Sequence, residues 1–267
     1  MDEIIRDTAV EIELQNALNR GHSVWVIGDV HGHADALENL LSEIDPNPGD
    51  RLVFLGDLID RGPDSRMVIR IARGRSGAFV LRGNHEEMPR DGFKGERQKK
   101  WSPPFPWLTS GGKQCLDSYR NKAGELNDVE FTDDLRWMLK LPHIFVLDEW
   151  VLVHAGIDPT LTLDEQTPAA CLWIRSAFHR ATRPVDPDRA VVFGHSMTHV
   201  HLKRKPGELA NSPIQLEDGR PLWLGIETGV CDSDSGWLTG LDLSSGRIIQ
   251  AKDDGTTRKK GAAFTRR

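Results

Sequence analysis

Short apolar segments alternate with amphipathic segments through the first 85 residues of the chain. Residues 24–28, 51–56 and 78–82 are apolar runs of strand length, whereas residues 34–44 and 64–73 place apolar side chains at the spacing of one helix face. The order strand, helix, strand, helix, strand predicts a parallel sheet with right-handed crossover connections.

This regular order breaks between residues 89 and 112, which are rich in Pro, Gly, Trp and basic residues. We expect an irregular segment there that passes over a functional site. After it, the apolar spacing of residues 131–139 predicts a helix, with Thr132 as its N-cap and acidic residues at its positive end.

Strand signals dominate the rest of the chain, and the later ones are close enough for antiparallel pairing. They cover residues 144–153, 190–194, 222–228, 237–243 and 247–251. We therefore expect a single domain over residues 1–251. Residues 252–267 are polar and basic, and they are predicted to form a disordered tail.

Composition narrows the class of protein. Of the 267 residues, 38% are apolar and 28% are charged, which predicts a soluble globular protein with a sizeable core. The net charge of −6 argues against a nucleic-acid duplex as partner. No apolar run approaches the roughly 18 residues that span a bilayer, and the N-terminus does not resemble a signal peptide. Three widely spaced cysteines predict no disulfide partner and favour the cytoplasm.

Residue types that bind metals stand where the apolar runs end. In open α/β sheets the carboxyl ends of the strands form the ligand crevice, so loops from distant parts of the chain can meet there. Two Asp, one Asn and three His suit a pair of divalent metals with mixed nitrogen and oxygen coordination. These residues are Asp29, His31, Asp57, Asn84, His154 and His195.

Three glycine-containing motifs carry most of this signal: GDVHG at 28–32, GDLIDRG at 56–62 and GNHE at 83–86. Each has a simpler interpretation, as a helix cap, a turn with a surface ion pair, or a turn with a satisfied core histidine. Their spacing favours the metal interpretation, because the intervals between the first ligand residues of successive motifs are 28 and 27 residues.

The motifs resemble those of the metallophosphoesterases, specifically the phosphoprotein phosphatase family of Ser/Thr phosphatases and its short bacterial and phage members. The resemblance covers roughly residues 23–243 and includes the later VHAG and FGH segments. It implies an α/β fold of the calcineurin-like metallophosphoesterase type, in which mixed β-sheets pack in a sandwich flanked by helices.

The resemblance also implies a dinuclear metal centre. Mn2+ is the expected metal, and Fe and Zn are the alternatives. In this assignment Asp57 bridges the two ions. The first ion is also held by Asp29 and His31, and the second by Asn84, His154 and His195.

Four further residues resemble the family's substrate-handling groups. His85 is expected to protonate the leaving group, with Asp60 orienting it, and Arg61 and Arg175 are expected to bind the phosphate. These roles agree with the chemistry, because an alkoxide leaving group needs a proton and Arg offers paired donors to phosphate oxygens. One departure is Glu227, which stands where related chains usually carry Asp.

These features predict a metal-dependent phosphoric ester hydrolase. The leading hypothesis is a Ser/Thr phosphatase that hydrolyses the phosphate of a protein or peptide by direct attack of a metal-bound water or hydroxide. The alternative is a symmetrical bis(5'-nucleosyl)-tetraphosphatase, acting on a dinucleotide or another small phosphoester. That branch commonly lacks the equivalents of Asp60 and Glu86, so these residues favour the first hypothesis. A catalytically dead metal-binding scaffold is a third interpretation, against which the intact motifs argue.

The two metals and two arginines of this hypothesis recognise the phosphate and not the group that carries it. Selectivity is therefore expected to come from the walls of the site. The irregular segment 89–112, with Trp101, Trp107, Lys99 and Lys100, is the candidate for that role.

Overall fold

Two β-sheets packed against each other form the centre of the computed structural model, which describes residues 3–92 and 101–265. One core cluster lies between the sheets and includes Val26 and Val53 from the first sheet and Val151 and Val192 from the second. A second cluster joins the other face of the first sheet to its helices. The predicted sandwich of mixed sheets flanked by helices is confirmed.

The first sheet has six strands. In order across the sheet they are β11 (Thr257–Lys260), β10 (Ile248–Ala251), β9 (Leu238–Asp242), β1 (Val24–Ile27), β2 (Arg51–Phe54) and β3 (Ala78–Val80). β1, β2 and β3 pair in parallel, as their alternation with helices predicts. β9 pairs with β1 in the antiparallel direction, so the sheet is mixed.

The second sheet has five strands. In order they are β4 (Ile144–Val146), β5 (Trp150–Val153), β6 (Ala190–Phe193), β8 (Trp223–Gly225) and β7 (Ala210–Asn211). The expectation of one strand over residues 144–153 is wrong, because the chain turns back between β4 and β5, which pair antiparallel. β5, β6 and β8 are parallel, so their carboxyl ends lie on one edge.

The helices of the described ranges cover the outside of the sandwich. They are α1 (Thr8–Asn19), α2 (Ala34–Ile44), α3 (Ser65–Gly74), α4 (Asn84–Glu87), α5 (Phe105–Trp107), α6 (Lys113–Ser118), α7 (Asp128–Met138), α8 (Pro168–Trp173), α9 (Ser176–His179) and α10 (Thr198–His201). None of them is long and apolar enough to cross a membrane.

The predicted bounds are correct for α2 but not for α7. α2 has the predicted bounds, since its apolar positions all lie on one buried face. α7 begins earlier than predicted and is capped by Asn127, whose side chain accepts a hydrogen bond from the Glu130 N–H. Thr132 is therefore not the N-cap, and its hydroxyl donates to the carbonyl of Asp128 within the helix.

The expected disorder after residue 251 is wrong for most of the tail. β11 pairs antiparallel with β10 and extends the first sheet. Beyond it, Phe264 is 9% exposed, and its ring centroid lies 5.1 Å from that of Trp150. Basic composition did not prevent this order, because β11 gains a strand partner and Phe264 gains a place in the core between the sheets.

Candidate dinuclear metal site

Tight turns at the ends of three strands bring motif residues together. His31, Asp57, Asp60, Arg61 and His195 all have positive φ angles, between 46° and 74°. This left-handed conformation is uncommon for residues other than glycine and is found at functional sites. The turns follow β1, β2 and β6, at the same edge of the sandwich.

Asp57 lies at the centre of the candidate site. One carboxylate oxygen, Oδ2, is 3.6 Å from Nε2 of His31, and the other, Oδ1, is 3.4 Å from Nε2 of His154. Two groups of candidate ligand atoms share this carboxylate, one with His31 and His85 and one with His154 and His195, and within each group the atoms lie within 4.8 Å of one another. Although burial opposes its ionisation, the pKa of Asp57 is lowered, with His85 among the groups that stabilise its charge.

The histidines present unprotonated nitrogens to this space. Nδ1 of His31 lies 2.9 Å from the carbonyl of Ile59, and Nδ1 of His154 lies 2.9 Å from that of Leu55. A carbonyl can only accept, so the proton of each neutral ring is on Nδ1 and Nε2 keeps its electron pair. Burial lowers the pKa of both rings and lowers that of His195 to about 2, which keeps all three rings neutral.

Asp29 and Asn84 lie beside the second histidine pair. The backbone N–H of His195 donates to both oxygens of Asp29 at 3.0 Å, and Oδ1 of Asn84 is 2.9 Å from Nε2 of His154. Burial raises the pKa of Asp29 well above its usual value, and the nearby carboxylate of Glu227 raises it further. Asp29 is thus held against the loop that carries His195.

The donor set fits two divalent cations. Two carboxylates, an amide oxygen and three neutral imidazoles are typical ligands of transition metals. Nε2 of His195 is buried without a hydrogen-bond partner among the described residues, which is costly unless another group binds it. The six residues predicted as ligands are all brought to this edge and are nearly or fully buried.

His85 and Asp60 form a buried pair next to the ligand cluster. Nδ1 of His85 lies 2.6 Å from Oδ2 of Asp60, and both residues are at most 1% exposed. Burial alone would lower the pKa of His85, but the charges of Asp57 and Asp60 raise it. Nε2 of His85 points away from Asp60 and lies 2.8 Å from the guanidinium of Arg61.

Both predicted phosphate-binding arginines reach the site. The guanidinium of Arg61 lies 2.7 Å from Nε2 of His31 and 2.8 Å from Nε2 of His85. Arg175 precedes α9 and donates to the hydroxyl of Ser196, beside His195, at 3.4 Å. Burial lowers the pKa of Arg175, although the guanidinium stays charged at neutral pH.

The segment that was expected to line the site has a different role in its described part. Residues 93–100, including Lys99 and Lys100, lie outside the described residues. Trp107 is fully buried and donates its indole N–H to Asp60, so it does not form a wall of the cleft. Trp101 is partly buried and donates to the carbonyl of Pro89. The expectation that Trp107 helps to form the walls of the site is therefore wrong.

Two buried glutamates also belong to the site. Glu86 accepts hydrogen bonds from the backbone N–H groups of Asp57 and Gly83, each at 2.8 Å. Glu227 accepts from the N–H of Gly229 at 2.8 Å, and burial raises its pKa to about 8. Both residues are noticeable in the sequence, since Glu86 ends the third motif and Glu227 departs from the expected Asp. The sequence does not predict which backbone groups they bind.

Comparison with known proteins identifies a family and several relatives. The family model described as calcineurin-like phosphoesterase matches residues 22–199. Serine/threonine-protein phosphatase 2 of Escherichia coli K12 is 29% identical over 189 residues, which cover 65% of this chain and 79% of that protein. The symmetrical bis(5'-nucleosyl)-tetraphosphatase of Xanthomonas oryzae pv. oryzae is 33% identical over 143 residues, which cover 52% of this chain but only 41% of that protein.

Solved structures show the same fold. A candidate diadenosine tetraphosphatase aligns with a TM-score of 0.59 and 23% identity, over 90% of this chain and 94% of that one. A serine/threonine phosphatase from Saccharomyces cerevisiae aligns with a TM-score of 0.53 and 17% identity, over 96% of this chain and 89% of that one. Together with the family match over most of the chain, these findings show that the protein belongs to the calcineurin-like phosphoesterase family.

Proposed function

We propose that this protein is a dinuclear-metal phosphomonoesterase that removes phosphate from phosphoserine and phosphothreonine in proteins or peptides. Mn2+ is the proposed metal, with Fe and Zn as alternatives, and the cytoplasm is the proposed compartment. Asp57 is proposed to be shared between the two ions. The other proposed ligands are Asp29 and His31 for the first ion and Asn84, His154 and His195 for the second.

The proposed chemistry divides between the metals and the side chains around them. Two bound divalent ions supply Lewis acidity toward the phosphoryl group and lower the pKa of the attacking water. Arg61 and Arg175 approach the ligand cluster from separate loops, so their guanidinium groups can bind phosphoryl oxygens from two sides. This arrangement orients the phosphate and stabilises the negative charge that develops on it.

The observation that carries the proposal is the buried pair of His85 and Asp60, with 2.6 Å between Nδ1 and Oδ2. A serine or threonine alkoxide is a strong base and leaves readily only when it receives a proton. Asp60 holds the His85 ring so that Nε2 faces the guanidinium of Arg61, where the phosphate is proposed to bind. Nε2 is then the atom that delivers the proton to the leaving oxygen.

The alternative function is symmetrical cleavage of a dinucleoside tetraphosphate, which the 33% identity to the Xanthomonas enzyme favours. In that reaction the leaving group is a phosphate oxygen of a nucleotide, which is a weaker base than an alkoxide. Such a reaction needs less proton donation, so it gives less reason for a buried His–Asp pair. The pair therefore favours the phosphomonoesterase.

The deciding experiment compares kcat/KM for a phosphoserine peptide, p-nitrophenyl phosphate and diadenosine tetraphosphate, with wild type and His85→Asn. Wild type should prefer the phosphopeptide over the dinucleotide. His85→Asn should lower phosphopeptide turnover by about 10²–10⁴-fold and p-nitrophenyl phosphate turnover less, because p-nitrophenolate needs little protonation. A large preference for diadenosine tetraphosphate would establish the alternative, and inactivity on all three substrates would favour the scaffold.

A further inference from the structure

The indole of Trp107 contacts the carboxylate of Asp60. Its Nε1–H lies 2.8 Å from Oδ2 and 3.1 Å from Oδ1, so one donor is shared between both oxygens. Oδ2 also accepts from Nδ1 of His85 at 2.6 Å. Trp107 and Asp60 are both fully buried, and water cannot readily replace this indole donor.

The indole constrains the rotation of the Asp60 carboxylate about its bond to Cβ. The backbone of Asp60 is fixed in a left-handed conformation at φ 74°, and its N–H donates to the hydroxyl of Ser65 at 3.0 Å. Neither contact controls rotation of the carboxylate about its own bond to Cβ. A donor that spans both oxygens does control it, because rotation would break at least one of the two contacts.

Trp107 is itself held firmly. Its ring stacks on Phe131 at a centroid distance of 5.7 Å and an interplanar angle of 25°, and Trp101 meets it edge-on at 5.7 Å. A Cβ at Gly112 would lie 2.5 Å from the indole, so the backbone packs directly on the ring. The neighbouring carbonyl of Gly111 accepts the backbone N–H of Arg61 at 3.2 Å, so the same short segment supports both Asp60 and Arg61.

We propose that Trp107 is a positioning residue for leaving-group protonation: it fixes the Asp60 carboxylate, which in turn orients the imidazole of His85. This inference rests on the proposed phosphomonoesterase function. In this proposal, part of the segment 101–112 supports the proton donor and does not recognise the substrate. Trp107 itself does not touch the substrate.

The test replaces each of two indoles by a phenyl ring. Trp107→Phe keeps the aromatic packing and removes the donor to Asp60. Trp101→Phe is the matched control, since Trp101 belongs to the same aromatic cluster and donates to the carbonyl of Pro89 instead. Trp107→Phe should lower kcat on a phosphoserine peptide by about tenfold, as expected for losing a hydrogen bond to a charged group, with little change in KM. The loss on p-nitrophenyl phosphate should be clearly smaller, and Trp101→Phe should show no such dependence on the leaving group.

Two results would contradict the positioning role of Trp107 but leave the proposed function unaffected. One is a Trp107→Phe enzyme that matches wild type on both substrates while His85→Asn retains its leaving-group-dependent loss. The other is equal loss on both substrates, which indicates only structural damage. If wild type hydrolyses no phosphomonoester, the proposed function fails first, and the two failures are thereby distinguished.

A second measurement covers the case in which Trp107→Phe does not fold. The indole N–H of Trp107 should give a ¹H resonance shifted downfield by its bond to a carboxylate, in protein loaded with diamagnetic Zn2+ and labelled with ¹⁵N. In Asp60→Asn this resonance should move markedly, whereas that of Trp101 should stay in place. An unchanged Trp107 resonance in Asp60→Asn would contradict the contact and, with it, the positioning role.

Discussion

The backbone N–H of Asp57 donates a 2.8 Å hydrogen bond to the carboxylate of Glu86, which ties the loop after β2 to the loop after β3. The same carboxylate accepts the N–H groups of Leu58 and Gly83, each at 2.8 Å. Glu86 is fully buried, so these bonds do not compete with water. Glu86 therefore determines where the central carboxylate of the candidate metal site lies.

Glu86→Gln should weaken this link and the metal site together. An amide offers one acceptor oxygen where the carboxylate offers two, so at least one of the three backbone donors loses its partner. We expect a loss of about 1–3 kcal/mol in the free energy of unfolding, measured in urea, and weaker metal binding in calorimetric titration. Glu87→Gln is the matched control, because Glu87 is partly exposed and pairs with Arg82 instead. Equal effects of the two changes would refute this role for Glu86.

Asp57→Asn tests whether the two metals share one carboxylate. The distances of 3.6 Å to His31 and 3.4 Å to His154 place the oxygens of Asp57 toward both clusters. Removing the negative charge leaves two cations without a shared anion between them, so both should bind more weakly. Metal analysis should give two ions per wild-type chain and fewer per variant chain, and chelation should abolish wild-type activity. A variant that keeps one ion at full affinity would show that Asp57 serves a single metal.

Local patterns were sufficient for some elements and not for others. The bounds of α2 followed from the spacing of Leu37, Leu40, Leu41 and Ile44, all of which face the core. The sequence predicts one strand over residues 144–153 because they are apolar except for Asp148 and Glu149, and this pair is only a weak turn signal. A run of apolar residues does not indicate where a strand reverses.

Contacts between distant parts of the chain explain the remaining errors. Trp107 lies 47 positions from Asp60, and nothing in its neighbourhood in the sequence indicates that its N–H meets a buried carboxylate. The ligand residues were identifiable because each follows an apolar strand and the strands are parallel. Their pairing in space, such as His195 with Asp29, depends on how two sheets pack and is not encoded in motif spacing.

Phe264→Ala tests the order of the tail. Phe264 fills space beside Trp150 at the end of the core between the sheets, although most residues of the tail 252–267 are polar. Truncating a buried Phe costs about 3–5 kcal/mol, and the lower end applies here because the residue lies at the rim of the core. The free energy of unfolding should fall accordingly, whereas Phe105→Ala, at a Phe that is 75% exposed, should leave it nearly unchanged. A neutral Phe264→Ala would show that burial of this ring does not stabilise the fold.

His179 predicts a specific dependence of stability on pH. Its ring stacks on Phe193 at a centroid distance of 5.2 Å, and its Nε2 is buried with no hydrogen-bond partner in the described part of the chain. Burial lowers its pKa to about 4, and the nearby charge of Arg175 contributes. Because the unfolded chain takes up a proton on this ring near pH 6.5 and the folded chain does so only near pH 4, stability falls as the pH drops through that interval.

His179→Phe should reduce that loss. The phenyl ring keeps the stacking on Phe193 and cannot be protonated, so the variant should lose less stability than wild type between pH 6.5 and 4. The difference should be on the order of 1–2 kcal/mol, since the half-buried ring is partly screened by solvent. Urea unfolding at several pH values, with metal-free protein in each case, measures this difference directly.

Other histidines also titrate in this interval, but they do so in both proteins, so the difference between the two curves isolates His179. Parallel curves would show that His179 is protonated equally in the folded and unfolded chains, and its burial would then have no effect on acid stability.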